Sequence, residues 1–250
     1  MIFKKINTDL NAFLERDPAA PNKISVILLW PGFHAIVFYR LSHWFWKRKY
    51  THFIARLLSG MGRFLTSVDI HPGAQIGEGF VIDHATGVVI GETAIIGDNV
   101  TLYHNVTLGG VSPSINSAAQ VGVKRHPTIR DNVIIGSGAS VLGDIIVDDN
   151  ARIGANAVVT KNIPANTTAV GNPARIIGQA KDNDASDFRA YGINPDGLPD
   201  VTMQEIILIK QRLEVIEQAS MKKTDEDHQN FSEAAPLQSD TNTDYIGDSK

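Results

Sequence analysis

The chain contains no cysteine. Disulfides, thiolate metal sites and a thiol acyl-enzyme are therefore out of consideration. It also lacks a strong charge of either sign: 23 Lys and Arg stand against 27 Asp and Glu, a formal net charge of −4. The last thirty residues hold three lysines and seven acids, which accounts for the whole imbalance. The body is near neutral, which argues against nucleic acid as a main partner. Long hydrophobic runs are missing too. The uncharged run from Ile24 to Tyr39 is broken by Pro31, Gly32 and His34 and is too short to span a bilayer. Met1 to Asp9 carries two lysines but no following apolar stretch or cleavage signal. The expectation is a cytoplasmic chain with no membrane segment.

What is present is a period of six. Ile70, Ile76, Ile82, Val88, Ala94, Val100 and Val106 fall in one column, and Ile90, Ile96, Leu102 and Leu108 in a second. After a gap the pattern returns at Ile129, Ile135, Val141, Val147, Ile153 and Val159, beside Val133, Ala139, Ile145, Ala151 and Ala157. Six fits neither a helical period nor a simple alternating strand. It fits a short strand plus a turn, stacked so that like positions form one continuous core. Three such units close a triangular coil of eighteen residues. Residues 69–178 are expected to form a parallel β-helix.

The period breaks twice. Ile76-Gly77 and Ile90-Gly91 stand fourteen residues apart, so two extra residues are absorbed around Asp83-His84-Ala85-Thr86-Gly87. Leu108 and Ile129 stand 21 apart, so the segment 109–126 loops out. Insertions in a solenoid spare the core and tend to carry the binding chemistry.

The runs Asp69-Ile70-His71-Pro72, Ile82 to Gly87, Gly91-Glu92-Thr93-Ala94, Val106 to Gly110 and Arg125-His126-Pro127 resemble bacterial serine O-acetyltransferase. The resemblance covers roughly residues 13–178. It implies the left-handed β-helix of the hexapeptide acyltransferases, with an N-terminal α-helical region over 1–68 and the β-helix over 69–178. It also implies transfer of acetyl from acetyl-CoA to L-serine, the first step of cysteine biosynthesis. No bound cofactor and no metal are implied.

Within residues 1–68, helical spacing predicts a helix over 1–16, closed by Arg16-Asp17-Pro18 because proline disfavours helix in the residue before it. A second apolar segment follows at 24–30, then an amphipathic stretch at 33–49 and a helix from His52 to Leu65. The aromatics of 33–49 are expected in the core, and its basic residues on the opposite face. Residues 179–220 are read as a linker followed by a C-terminal helix, capped by Thr202 with Glu205 three residues on. Its apolar residues Ile206, Ile209, Leu213 and Ile216 need something to dock on. Residues 221–250 are acidic, nearly free of large apolar groups, and expected to be disordered.

Acetyl transfer to an alcohol needs a base, and His84 is the best candidate, since an imidazole takes and returns a proton near neutrality. By resemblance Asp69 orients it. Arg125 and His126 would then receive the substrate carboxylate, and Asp17 and Asp83 its amino and hydroxyl end. An arginine fork matches both carboxylate oxygens. Coenzyme A in this superfamily lies along the solenoid on backbone amides, here at Gly110, Ser137 and Ala155. His71 and His104 are left as structural histidines. Cysteine is the implied feedback inhibitor, and a homotrimer, or a dimer of trimers, the implied assembly. O-acetylserine sulfhydrylase captures a C-terminal isoleucine in such enzymes. Here Ile246 is followed by four more residues, so weak or no binding is expected. Two other readings stay open: acetylation of another hydroxyl (homoserine or a sugar), and an inactive scaffold that binds a partner. A zinc β-helix enzyme is weaker, because the histidine spacings do not supply a close pair from one coil.

Overall fold

The N-terminal third folds into four helices that cover one end of a solenoid. The computed structural model describes residues 2–111, 122–179, 207–218 and 221. Met1–Leu198 and Pro199–Lys250 form separate units. In the second, residues 207–218 are helical with Ile209, Leu213 and Ile216 exposed. The expected Thr202 cap and nearly all of the acidic tail lie outside the described residues. So does most of the 109–126 loop, from 112 to 121.

The first helix, α1 (Ile2–Arg16), ends where Asp17-Pro18 forbids continuation. The next, α2 (Lys23–Leu29), is capped by Asn22, whose side chain accepts from the Ser25 N–H at 3.0 Å. Trp30 is extended, and Pro31 opens α3 (Pro31–Trp46) at the position where a missing N–H costs nothing. After a short 3₁₀ turn, α4 (His52–Thr66) runs to Ser67, whose left-handed φ of 58° ends it. No single helix among the described residues is long and apolar enough to cross a membrane; α2 and α3 together have the length but bend by 77°.

Two side chains of α3 fasten this layer to the solenoid. The Tyr39 hydroxyl donates to Ala74 O at 2.8 Å and accepts from the Ile76 N–H at 3.1 Å. Arg40, expected on the basic face, is buried instead. It forks onto both oxygens of Asp9 at 3.0 Å and reaches Ile76 O at 2.7 Å. Asp9 also accepts from the Phe80 N–H. Burial pushes the Asp9 carboxyl up despite Arg40. An unpaired charge there would be costly, so the pair stands or falls together.

Phe33 and Tyr39 are in the core as expected, but Trp44 is only half covered, with Arg48 stacked 3.7 Å from its ring. On α4 the stripe Phe53, Leu57, Met61 and Phe64 faces outward, and α2 exposes Ile24, Ile27 and Leu28. Helical spacing fixed which residues share a face; it did not say that these faces would stay uncovered by the other described residues.

The solenoid is built of three sheets. The first stacks β1 (Asp69–Ile70), β4 (Val89–Ile90), β7 (Thr107–Gly109), β10 (Ser140–Leu142) and β13 (Val158–Val159). The second stacks β2 (Gln75–Ile76), β5 (Ile95–Ile96), β8 (Thr128–Ile129) and β11 (Ile146–Val147). The third stacks β3 (Val81–Ile82), β6 (Thr101–Leu102), β9 (Ile134–Ile135) and β12 (Arg152–Ile153), then β14 (Thr167–Val170) and β15 (Arg175–Gln179). Every pairing is parallel except β14 with β15, which closes the stack. All the residues of the columns read from the sequence are buried.

Register locates the two insertions. Asp69 pairs with Val89, Val89 with Thr107 and Thr107 with Ser140. The first step exceeds an eighteen-residue coil by two and the third by fifteen. The two extra residues fall in the corner between β3 and β4, the fifteen between β7 and β8. Asn99, Asn105, Asn132, Asn150, Asn156 and Asn166 occupy corners at φ near 57°, where asparagine is tolerated at least cost.

Candidate active site

Both insertions bracket one face of the prism, the β1–β4–β7–β10–β13 sheet. At its first edge, the corner Asp83–Gly87 carries two successive non-glycine residues in left-handed geometry, His84 at φ 56° and Ala85 at φ 46°. Such conformations cost energy and concentrate at functional positions. Ala85 is buried, which anchors the turn, while the His84 side chain projects and is 71% exposed. Its Nε2 lies 4.0 Å from Asp83 Oδ1. The ring of His104 stands perpendicular to it, 6.0 Å between centroids.

Coil stacking explains that neighbour. Gly87 N–H donates to Ser67 O, Asn105 to Thr86 O, Gly138 to His104 O and Asn156 to Ser137 O. One corner column therefore runs from the His84 turn through His104 and Ser137 to the turn at Ala155 and Asn156. His104, expected to be structural, lies in this column, and its buried Nδ1 has no hydrogen-bond partner among the described residues.

Asp17 reaches the same corner from the helical layer. Arg16 pins the end of α1 to the second coil, donating to Asn99 O at 3.1 Å and Thr101 Oγ1 at 3.0 Å. Burial raises the Asp83 carboxyl pKa; His84 opposes this, and the charge of Asp17 adds to it. Two carboxylates that close favour a cation between them.

The second edge holds Arg125 and His126. His71 N–H donates to Ile90 O and Gly91 N–H to Leu108 O, so His71, Gly91 and the end of β7 form the corner column there. His126 rests against Gly91, where no side chain would fit, with its Nδ1 at 3.1 Å from the Thr93 N–H and 2.8 Å from Thr93 Oγ1. Thr93 Oγ1 in turn accepts from the Arg125 N–H at 3.0 Å and the His126 N–H at 3.2 Å. Arg125 Nη2 meets Glu92 Oε2 at 3.1 Å. Burial, then Arg125 and Lys124, push the His126 pKa down. Burial does the same to His71, which packs edge-on against Trp46.

The expected residues thus divide. His84, Asp83, Asp17, Ser137 and Ala155 gather at the first edge. Arg125, His126 and Gly110 lie at the second. Asp69 belongs to the coil beneath the His84 turn, but its carboxylate pairs with Arg63 Nη1 at 3.0 Å rather than with His84. That pair is largely exposed, at 67% and 38%, and such pairs exchange at little cost. Glu92 and Thr93 hold the Arg125-His126 segment, a role the sequence motif does not reveal. Their positions, one and two residues beyond Gly91 in the corner column where the next coil carries its insertion, are the available signal.

The family description "Serine acetyltransferase, N-terminal" matches residues 1–37, and "Bacterial transferase hexapeptide (six repeats)" matches residues 126–161. A serine acetyltransferase of Mycobacterium tuberculosis is 52% identical over 180 residues, 72% of this chain and 75% of that protein. One from Helicobacter pylori is 52% identical over 172 residues, 69% of this chain and 96% of its own length. Among solved structures, soybean serine acetyltransferase complexed with serine superposes with a TM-score of 0.66 at 43% identity, covering 70% of this chain and 69% of its own. Serine acetyltransferase of Brucella abortus in complex with coenzyme A gives a TM-score of 0.66 at 42% identity, over 71% and 68%. The chain spans about two thirds of the length of these solved relatives. With its hexapeptide columns, its helical N-terminal layer and relatives at this level of identity, the chain belongs to the serine acetyltransferase family, acyltransferases built on a left-handed β-helix.

Proposed function

We propose that the chain transfers acetyl from acetyl-CoA to the Oγ of L-serine, giving O-acetyl-L-serine and CoA. The observation that carries this reading is the first edge: an exposed imidazole on a strained turn, two carboxylates beside it, and a corner column leading away along the solenoid. Acetyl-CoA laid on that column passes Ala155 and Ser137 before its thioester reaches His84. Serine Oγ attacks the carbonyl carbon while His84 takes the proton. The tetrahedral adduct collapses with cleavage of the C–S bond, and His84 returns the proton to the departing thiolate. Asp83 and Asp17 hold the ammonium, and Asp69, once released from Arg63, steadies the imidazolium.

The carboxylate site lies at the other edge. The six-residue side between the corners spans up to about 20 Å at ~3.3 Å per residue, too far for one serine. In a three-fold assembly with this face turned inward, the His84 edge of one copy meets the Arg125 edge of the next. The uncovered apolar stripe of α4, contiguous in sequence with β1, supports such an assembly. A homotrimer is the proposed unit, possessing three shared sites. Cysteine, which has the same amino-acid end as serine, competes for it.

The test is thiol release from acetyl-CoA with L-serine, homoserine, a galactoside and water as acceptors. L-serine should be preferred, and its methyl ester poor, because Arg125 reads the carboxylate. Preference for the galactoside would replace the amino-acid reading, since a neutral sugar needs no ion-pair partners. Sedimentation decides the assembly: full activity at the 27.2 kDa mass of one chain would refute the shared site.

A further inference from the structure

We propose that Trp30 is a positioning residue for the amino-acid substrate, acting through Asp17. The inference rests on the assignment of Asp17 to the substrate ammonium. Asp17 lies in the connection between α1 and α2, outside any helix or strand. Its N–H donates to Phe13 O at 2.9 Å, and its Oδ1 accepts from the Ala19 N–H at 2.8 Å. Those two contacts are local and shape the turn. The third is not: the Trp30 indole Nε1–H donates to Asp17 Oδ2 at 2.6 Å, across the space between α1 and the start of α3.

Trp30 is itself well fixed. It is the extended residue between α2 and α3, its N–H bonded to Val26 O at 3.3 Å, and its ring packs against the core cluster. Two residues on, Gly32 lies so close to Ile82 O that no Cβ could be accommodated. Ile82 immediately precedes Asp83. A continuous path from Asp17 through Trp30, Pro31 and Gly32 to the Ile82 carbonyl therefore sets the separation of the two carboxylates. Without the indole, the like charge of Asp83 would turn Asp17 toward water. With it, Oδ2 is held by the indole and Oδ1 by a backbone amide, so the remaining lone pairs point in fixed directions. A positioned carboxylate pair binds an ammonium without having to be reorganised first.

The test is steady-state kinetics of the full chain with serine and acetyl-CoA varied separately. W30F keeps an aromatic ring and removes the donor. The serine KM should rise about tenfold, the loss typical of one charge-assisted hydrogen bond, while kcat and the acetyl-CoA KM stay within about twofold. W30H keeps a ring N–H the same number of bonds from Cβ and should stay within about threefold of the parent for serine. In a D17N background, W30F should raise the serine KM no further, because its effect passes through that carboxylate. A W30F serine KM equal to the parent's, an equal rise for both substrates, or effects of W30F and D17N that multiply would each overturn the assignment. If W30F does not fold, W30H alone decides, and a tenfold rise there overturns it. An unmodified chain that releases no thiol with L-serine would overturn the underlying function before any variant is made.

Discussion

Gly91→Ala tests whether the Arg125-His126 segment is held where it must be by close packing. The backbone at Gly91 has no left-handed requirement, so alanine meets no backbone strain. The obstacle is the His126 ring. A Cβ at position 91 would lie 2.7 Å from His126 Cε1, and closer still to Cδ2 and Nε2. Ordinary carbon contacts lie at about 3.5–4.0 Å, so the ring must retreat by roughly 1 Å or more. It cannot move alone: Thr93 N–H and Oγ1 hold its Nδ1, and the same Oγ1 holds the Arg125 amide. Misplacing a substrate-positioning group by about 1 Å costs on the order of 10²-fold in rate. We expect kcat/KM for L-serine to fall about 10²-fold in thiol-release assays, with the acetyl-CoA KM changed far less. Overpacking of this kind costs about 1–3 kcal/mol of stability, so the melting temperature should drop by several degrees without loss of the fold. Activity within about threefold of the parent, at an unchanged melting temperature, would refute the reasoning.

Two other predictions follow from the same geometry. His84→Ala should lower kcat by about 10²–10⁴-fold, Asp69→Asn by less, and Arg63→Ala should leave kcat intact because it only frees Asp69; near-normal activity of the His84 variant at neutral pH would remove the base assignment. Burial lowers the pKa of His43, His71 and His126 below the usual ~6.5. At these three histidines the unfolded chain binds more protons than the folded one through this window, so their contribution to stability is full above ~6.5 and is lost as pH falls. Melting temperature should decline from pH 7.5 to 5.5, and His126→Asn should flatten that slope. An equal slope in the variant would show that His126 does not contribute.

The repeat makes the solenoid legible in the sequence, because a period of six admits few three-dimensional solutions and buried columns tolerate only apolar residues. The same arithmetic located both insertions. Side-chain partnerships were less accessible. Arg40 and Asp9 lie 31 residues apart and meet only because α1 and α3 cross above the first coil. Asp69 was assigned to His84 by resemblance, yet a cation one helical turn from the end of α4 reaches it first. His104 was within reach of sequence reasoning. Val81 pairs with Thr101, so the coil at this corner is twenty residues and sets His104 directly over His84. The two extra residues are legible in the sequence, but applying the twenty-residue step they imply to His84 is what brings His104 into the same column.

Those two departures from eighteen also bear on the proposed site, in which an amino acid would lie between two copies. A strictly periodic prism has three equivalent faces and no reason to prefer one of them. Two residues added before β4 take the His84 turn out of the regular corner and give it two successive left-handed residues where the asparagine corners have one. Fifteen added after β7 release the chain from the opposite edge of the same face and return it through Arg125 and His126 into β8. The insertions thus single out one face and give its edges different chemistry, a carboxylate pair beside His84 at one and His126 with the ion pair of Arg125 and Glu92 at the other. A zwitterionic substrate needs both, and one rigid edge length keeps them apart within a chain. Three-fold packing of that face pairs unlike edges at every contact, whereas a two-fold arrangement could set like edges together. On the proposed reading, the charge pattern of the substrate and a three-fold assembly are one requirement, written into the positions of two insertions.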